Sequence, residues 1–137
     1  MKRLFLDTNI LIDLLADRQP YSKFAKELLM MAEQKKLRLF ASSHSVATTY
    51  YILNKYGDDK TIRSALTDLL DFITLIPIDT DMVKKGLQSD YKDFEDSLQI
   101  FCAYSIDNIF GIVTRNIKDF KLSAVKAYSP DSILLII

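Results

Sequence analysis

The chain has 137 residues, 49% hydrophobic and 26% charged, and its 18 Lys and Arg equal its 18 Asp and Glu. That composition describes a globular domain with a buried core and excludes a disordered chain. Zero net charge excludes a global field for nucleic acid or a membrane surface, so such a partner must be met by a local patch.

The single cysteine, Cys102, excludes an internal disulfide and fits a reducing compartment. The start "MKRLFLDTN" has too few apolar residues for a signal peptide. No run approaches the roughly 18 to 20 apolar residues of a membrane span. The expectation is one domain over 1–137, soluble and cytoplasmic, with no membrane partner.

The elements follow in chain order. Residues 3–7 are a short apolar run, a buried strand, and Ile10 to Ala16 reads as a helix broken by "DRQP". From Tyr21 to Lys36 the apolar residues Phe24, Ala25, Leu28, Leu29 and Ala32 recur at helical spacing. "LRLFAS" (37–42) predicts a second strand and "SHSVATTYYILNKYG" (43–57) a helix closed by Gly57. Residues 58–72 repeat the helical period, "ITLIPI" (73–78) is a third strand, and 79–88 a short helix capped by Asp79 or Thr80. "DFEDSLQIFCAYSI" (93–106) is a helix apolar on most of its circumference. "IFGIVTRN" (109–116) is a fourth strand, "AVKAY" (124–128) a fifth, and Ser129-Pro130 begins a last helical turn. Strands alternating with helices predict crossovers and a mostly parallel sheet covered on both faces, a three-layer α/β/α sandwich. The apolar end "SILLII" (132–137) fits a last core element or part of an interface.

Three polar clusters interrupt this apolar plan. Asp7, Thr8 and Asn9 follow the first strand, where open α/β sheets bind ligands beyond the carboxyl ends of their strands. Asp7 or Thr8 would serve equally as an N-cap. An aspartyl phosphatase would carry Asp where Asn9 stands, and Gly57, Gly86 and Gly111 lie in no phosphate loop. The second cluster is "KDFEDSLQ", with Asp93, Glu95, Asp96 and Gln99; a cap needs only Asp93. The third is "TRNIKDF", where Asn116 and Asp119 interleave with Arg115 and Lys118. Converging carboxylates repel unless a cation neutralises them. Hard oxygen donors suit Mg²⁺ or Mn²⁺ rather than zinc. His44 and Cys102 stand alone and read as surface or packed side chains.

"LFLDTNILIDLL", "EDSLQIFCA" and "GIVTRNIKDF", in that order along the chain, resemble the PIN domain family, especially ribonuclease toxins of the VapBC type. The resemblance implies an α/β/α sandwich that gathers acidic residues around Mg²⁺ or Mn²⁺ and cuts RNA. By position it implies Asp7, Asp96, Asp119 and Glu95 as metal ligands, with Asn116 where the family usually has an acid. Thr8, Asn9, Thr48 and Thr114 would support the site, and Arg115, Lys118 and Lys121 would contact RNA. It further implies a small antitoxin partner and a homodimer.

One departure stands out. The family's second acid is normally a Glu in the helix after the second strand; here Thr48, or Thr49 in another register, takes its place. The expected reaction is metal-assisted phosphodiester hydrolysis, with Glu95 as a ligand or a water-orienting base. The alternative is a catalytically weak or inactive PIN-like domain that binds RNA or a protein partner.

Overall fold

A computed structural model describes residues 1–137. Chain order runs β1 (Lys2–Leu6), α1 (Thr8–Leu15), α2 (Ser22–Glu33), β2 (Leu37–Ser42), α3 (Ser43–Leu53), α4 (Asp59–Leu69) and β3 (Ile73–Ile76). It continues through α5 (Thr80–Gln88), α6 (Phe94–Tyr104), β4 (Ile109–Val113), a 3-10 helix (Ile117–Phe120), β5 (Ala127–Tyr128) and α7 (Pro130–Leu134). The five strands form one sheet in the order β3-β2-β1-β4-β5, and every pairing is parallel.

The strands read as unbroken apolar runs because both faces of the sheet are covered. Side chains alternate across a strand, so neighbours in sequence enter different cores. Leu4, Leu6, Leu37, Leu39, Ala41 and Val113 join Ile10, Leu28, Ile62, Leu66 and Ile133 on one face. Phe5, Phe40 and Ile112 join Ile100, Cys102, Ala103 and Phe120 on the other. The result is the three-layer α/β/α sandwich. No helix is long and apolar enough to cross a membrane.

Several boundaries fall short of the sequence-based expectation. The helix expected to reach Gly57 ends at Leu53, and Asp58 caps the next one by accepting from the Thr61 N–H at 3.0 Å. Strand β3 stops at Ile76 because Pro77 has no N–H for the ladder. The expected five-residue fifth strand is only Ala127–Tyr128, pairing with Ile112 and Val113. The segment after β4 turns into a 3-10 helix that no sequence period announced. The apolar C-terminus divides: Ile133 is fully buried, whereas Leu135 is 86% exposed.

Strand order places β1 at the centre, with the chain winding outward through β2 and β3 before returning to β4. The direction of winding reverses between β1 and β4, the position where such sheets open a crevice at their carboxyl ends. Asp7 and Thr114 are the first residues beyond those two strands.

Candidate active site

Asp7 is buried, 6% exposed, and its carboxylate accepts from four donors. Two contacts are short: the Thr8 N–H and the Thr114 hydroxyl, each at 2.8 Å. Two are longer: Gln99 Nε2 at 3.2 Å and Asn9 Nδ2 at 3.4 Å. Asp7 is therefore both the N-cap of α1 and the floor of a polar hollow. Burial raises its pKa from the ordinary carboxylate value; hydrogen bonds from Thr114, Gln99 and Thr8 pull the other way, and the Asp119 charge adds to the rise.

Helix α6 brings the second group. Asp93 caps it by accepting from the Asp96 N–H at 2.9 Å, which puts Glu95 and Asp96 in the first turn. Gln99 lies one turn further along the face of Asp96. It is almost fully buried, and the sequence marks it only as one polar member of the second cluster, with no role of its own. Its amide donates to Asp7 and, at 2.8 Å, to Ser45 Oγ, while its carbonyl accepts from the Ser42 hydroxyl at 2.6 Å. Ser45 Oγ is in turn 2.8 Å from Thr8 Oγ1. Ser42 ends β2 and caps α3, so this buried network ties β1, β2, α3 and α6 together beneath Asp7.

The hollow above Asp7 encloses about 250 Å³ and is lined by residues of α1, α3 and α6 together with Asn116. From α3 it receives His44, Thr48 and Ile52, spaced four apart on one strip. This fixes the register left open by the sequence: Thr48 faces the hollow, while Thr49 is fully buried with an unpaired hydroxyl. His44 lines it too, a partly exposed surface side chain. Its Nε2 is 3.4 Å from Thr48 Oγ1 and 3.8 Å from Glu95 Oε2.

A second hollow of about 450 Å³ adjoins the first through Asp96 and carries Asp119 with Lys92, Lys118 and Lys121 on its wall. Burial, followed by the charges of Asp93, Asp7, Asp119 and Glu95, pushes Asp96 up to about 7. The residues picked from sequence thus gather at one end of the sheet, with exceptions. No three acidic, histidine or cysteine side chains converge closely enough to hold one ion. Glu95 is turned to His44, and Asp119 lies in the neighbouring hollow. Arg115 is engaged elsewhere: its Nε and Nη2 pair with Asp13 at 2.6 and 3.0 Å, and its guanidinium lies 4.0 Å from the centre of the Tyr21 ring. A larger hollow of about 620 Å³ opens beside the first residues of β2 and β3, away from Asp7.

Asp7, Asp96 and Asp119 share one electrical feature. None of the chain's six ion pairs involves them. Asp7 and Asp96 line one hollow that holds no Lys or Arg, and carboxylates so placed are stabilised by a cation from solution. The donors are all hard oxygens, and Mg²⁺ is commonly held by one or two carboxylates with waters completing its shell. A pair such as Asp7 and Asp96 therefore fits a divalent ion even though no triad is preassembled.

This geometry, at the carboxyl ends of a parallel sheet in an α/β/α sandwich, defines an acid-lined site of the PIN type. The chain belongs to the PIN domain family, whose pattern it matches over residues 3–118. It is 27% identical over 107 residues to "Ribonuclease VapC1" of Aquifex aeolicus (strain VF5), covering 74% of each chain. Among solved structures it resembles a toxin-antitoxin complex from Klebsiella pneumoniae, with TM-score 0.66, 25% identity, and 93% and 97% of the two chains covered. It also shares its fold with VapBC2 from Rickettsia felis bound to a promoter DNA fragment, at TM-score 0.70, 20% identity, and 93% and 98% coverage.

Proposed function

We propose that this chain is a metal-dependent endoribonuclease that hydrolyses phosphodiester bonds of RNA, and that it is the toxin of a toxin–antitoxin pair. The observation that carries the reading is the uncompensated carboxylate pair Asp7 and Asp96 in a hollow at the carboxyl ends of β1 and β4. The relative named as a ribonuclease and the neighbour named as a toxin-antitoxin complex support it.

Asp7 and Asp96 would hold Mg²⁺ or Mn²⁺, with Asp119 within electrostatic reach of both. A divalent ion bound there supplies a coordinated water of lowered pKa and offsets charge at the phosphate. The chain's own groups do the positioning. Thr8, Thr114 and Gln99 hold the Asp7 carboxylate in one orientation. Asn9 links α1 to the strand-four loop, its Nδ2 3.4 Å from Thr114 Oγ1. Asn116 closes the hollow where the family usually places an acid. Lys118 and Lys121, on the wall of the adjoining hollow, would contact RNA phosphates, the local patch that zero net charge conceals. A small antitoxin covering the acidic hollow, a homodimer and a cytoplasmic location complete the reading.

One observation favours a second reading, a PIN-like domain that binds RNA or a protein with little or no cleavage: Thr48 brings no carboxylate to the hollow. Cleavage of RNA with Mg²⁺ or Mn²⁺, against the same reaction in EDTA, separates the two. The nuclease reading expects metal-dependent products from wild type and losses of at least about 100-fold in Asp7→Asn and Asp96→Asn, the scale of a lost transition-state stabiliser. Equal background in all three proteins would leave only the binding role.

A further inference from the structure

The acidic hollow has one unusual member. Asp7, Glu95 and Asp96 line it, and neither Lys nor Arg does. A phosphodiester entering such a hollow brings more negative charge, and more develops on the bridging oxygen as its bond to phosphorus breaks. Gln99 Nε2 is already engaged there, donating to Asp7 at 3.2 Å, and Thr8 Oγ1 lies 2.8 Å from Ser45 Oγ. His44, the chain's one histidine, is the only imidazole among the lining residues. It sits four residues before Thr48 on the lining strip of α3, facing Glu95 of α6. Its Nε2 contacts, 3.4 Å to Thr48 Oγ1 and 3.8 Å to Glu95 Oε2, are both too long for strong hydrogen bonds. The ring nitrogen therefore stands at the wall of the hollow with these two long contacts alone.

We propose that His44 is a catalytic residue of the hydrolysis, donating an N–H hydrogen bond to the oxygen that leaves phosphorus. The inference rests on the nuclease reading above. In the step, the water oxygen forms the new bond to phosphorus. The bridging P–O bond breaks, and its electron pair goes to the bridging oxygen. His44 stabilises the charge appearing there. The proton released by the attacking water passes to solvent, and solvent supplies the one that completes the alcohol, so no other reactant is needed.

Leaving-group dependence tests this directly. The probes are a mixed-sequence RNA oligonucleotide carrying a fluorophore and quencher, and bis(4-nitrophenyl) phosphate, whose phenolate leaves readily without a donor. With RNA, His44→Ala is expected to lower kcat about 100-fold with KM little changed, within the range of a positioned acid or donor. His44→Gln, which retains an N–H, recovers part of that loss. With the nitrophenyl ester, His44→Ala matches wild type to within about two-fold. Binding of Mn²⁺, followed by electron paramagnetic resonance, is the same in wild type and both variants.

Equal losses on the two substrates, a change in KM alone, or no loss on RNA would each overturn the role of His44 while leaving the nuclease reading intact. A wild-type protein that cleaves neither substrate with either metal would remove the nuclease reading and this role with it.

Discussion

Arg115 grips Asp13 with two nitrogens, at 2.6 and 3.0 Å, and the carboxylate it grips is only 1% exposed. Tyr21 covers the guanidinium from the far side, and Arg18 Nη1 approaches the same carboxylate at 4.0 Å. The pair fastens the residue after Thr114 to the last turn of α1, so it fixes the loop that carries Asn116 and Asp119. Removing one partner of a buried pair leaves an uncompensated charge. Arg115→Met is expected to cost about 3 kcal/mol in urea unfolding. The double variant Asp13→Leu with Arg115→Met, which removes both charges, should regain most of that cost, and a double variant no more stable than the single one would contradict this account.

Gln99 is the buried hub that Asp7, Ser42 and Ser45 share. Gln99→Ala takes a donor from Asp7 and an acceptor from the Ser42 hydroxyl, at a cost of about 2 kcal/mol for stranded buried polar groups. It should also lower RNA cleavage, since the carboxylate loses one of the contacts that orient it. Unchanged thermal stability in this variant would show that water replaces the amide without penalty.

Asp96 makes the stability of the fold depend on pH. Its folded pKa is about 7 against an ordinary value of 3.8, because burial and four neighbouring carboxylates disfavour the charged form. Between about pH 4 and pH 7 the folded chain therefore binds more protons than the unfolded one, and stability falls as pH rises through that window. In EDTA, Asp96→Asn should equal wild type near pH 4 and become progressively more stable than it towards pH 7. A constant difference across the window would mean that Asp96 titrates normally.

Thr48 tests the departure from the family pattern. It lines the hollow beside His44, so Thr48→Glu brings a carboxylate from α3, which supplies none to the hollow now. Mn²⁺ affinity should rise by on the order of ten-fold, about 1.4 kcal/mol, and cleavage should rise with it. Unaltered affinity would show that the Asp7 and Asp96 end of the hollow does not share an ion with α3.

The sandwich was legible because apolar runs of four to six residues alternate with amphipathic helices, and only a parallel sheet covered on both faces buries both kinds of segment. Asp79, Asp93 and Ser129 announced helix starts, whereas the Asp58 cap emerged only in the fold. What stayed hidden were pairings between distant residues. Asp13 looks like any acid on a short helix until the fold brings Arg115 onto it. Ser42 and Ser45 look like ordinary capping residues until Gln99 arrives from 57 and 54 positions away. His44 gave no signal, since a lone histidine has no spacing to read. The four-carboxylate cluster expected from the resemblance is looser in the fold, because Glu95 turns to His44 and the 3-10 helix carries Asp119 into the adjoining hollow.

Mn²⁺ binding is the most direct test that Asp7 and Asp96 together form a cation site. Titration followed by electron paramagnetic resonance of free Mn²⁺ should show a site in wild type that is lost in both Asp7→Asn and Asp96→Asn and kept in Arg115→Lys. Binding that is equally strong in all four proteins would contradict it.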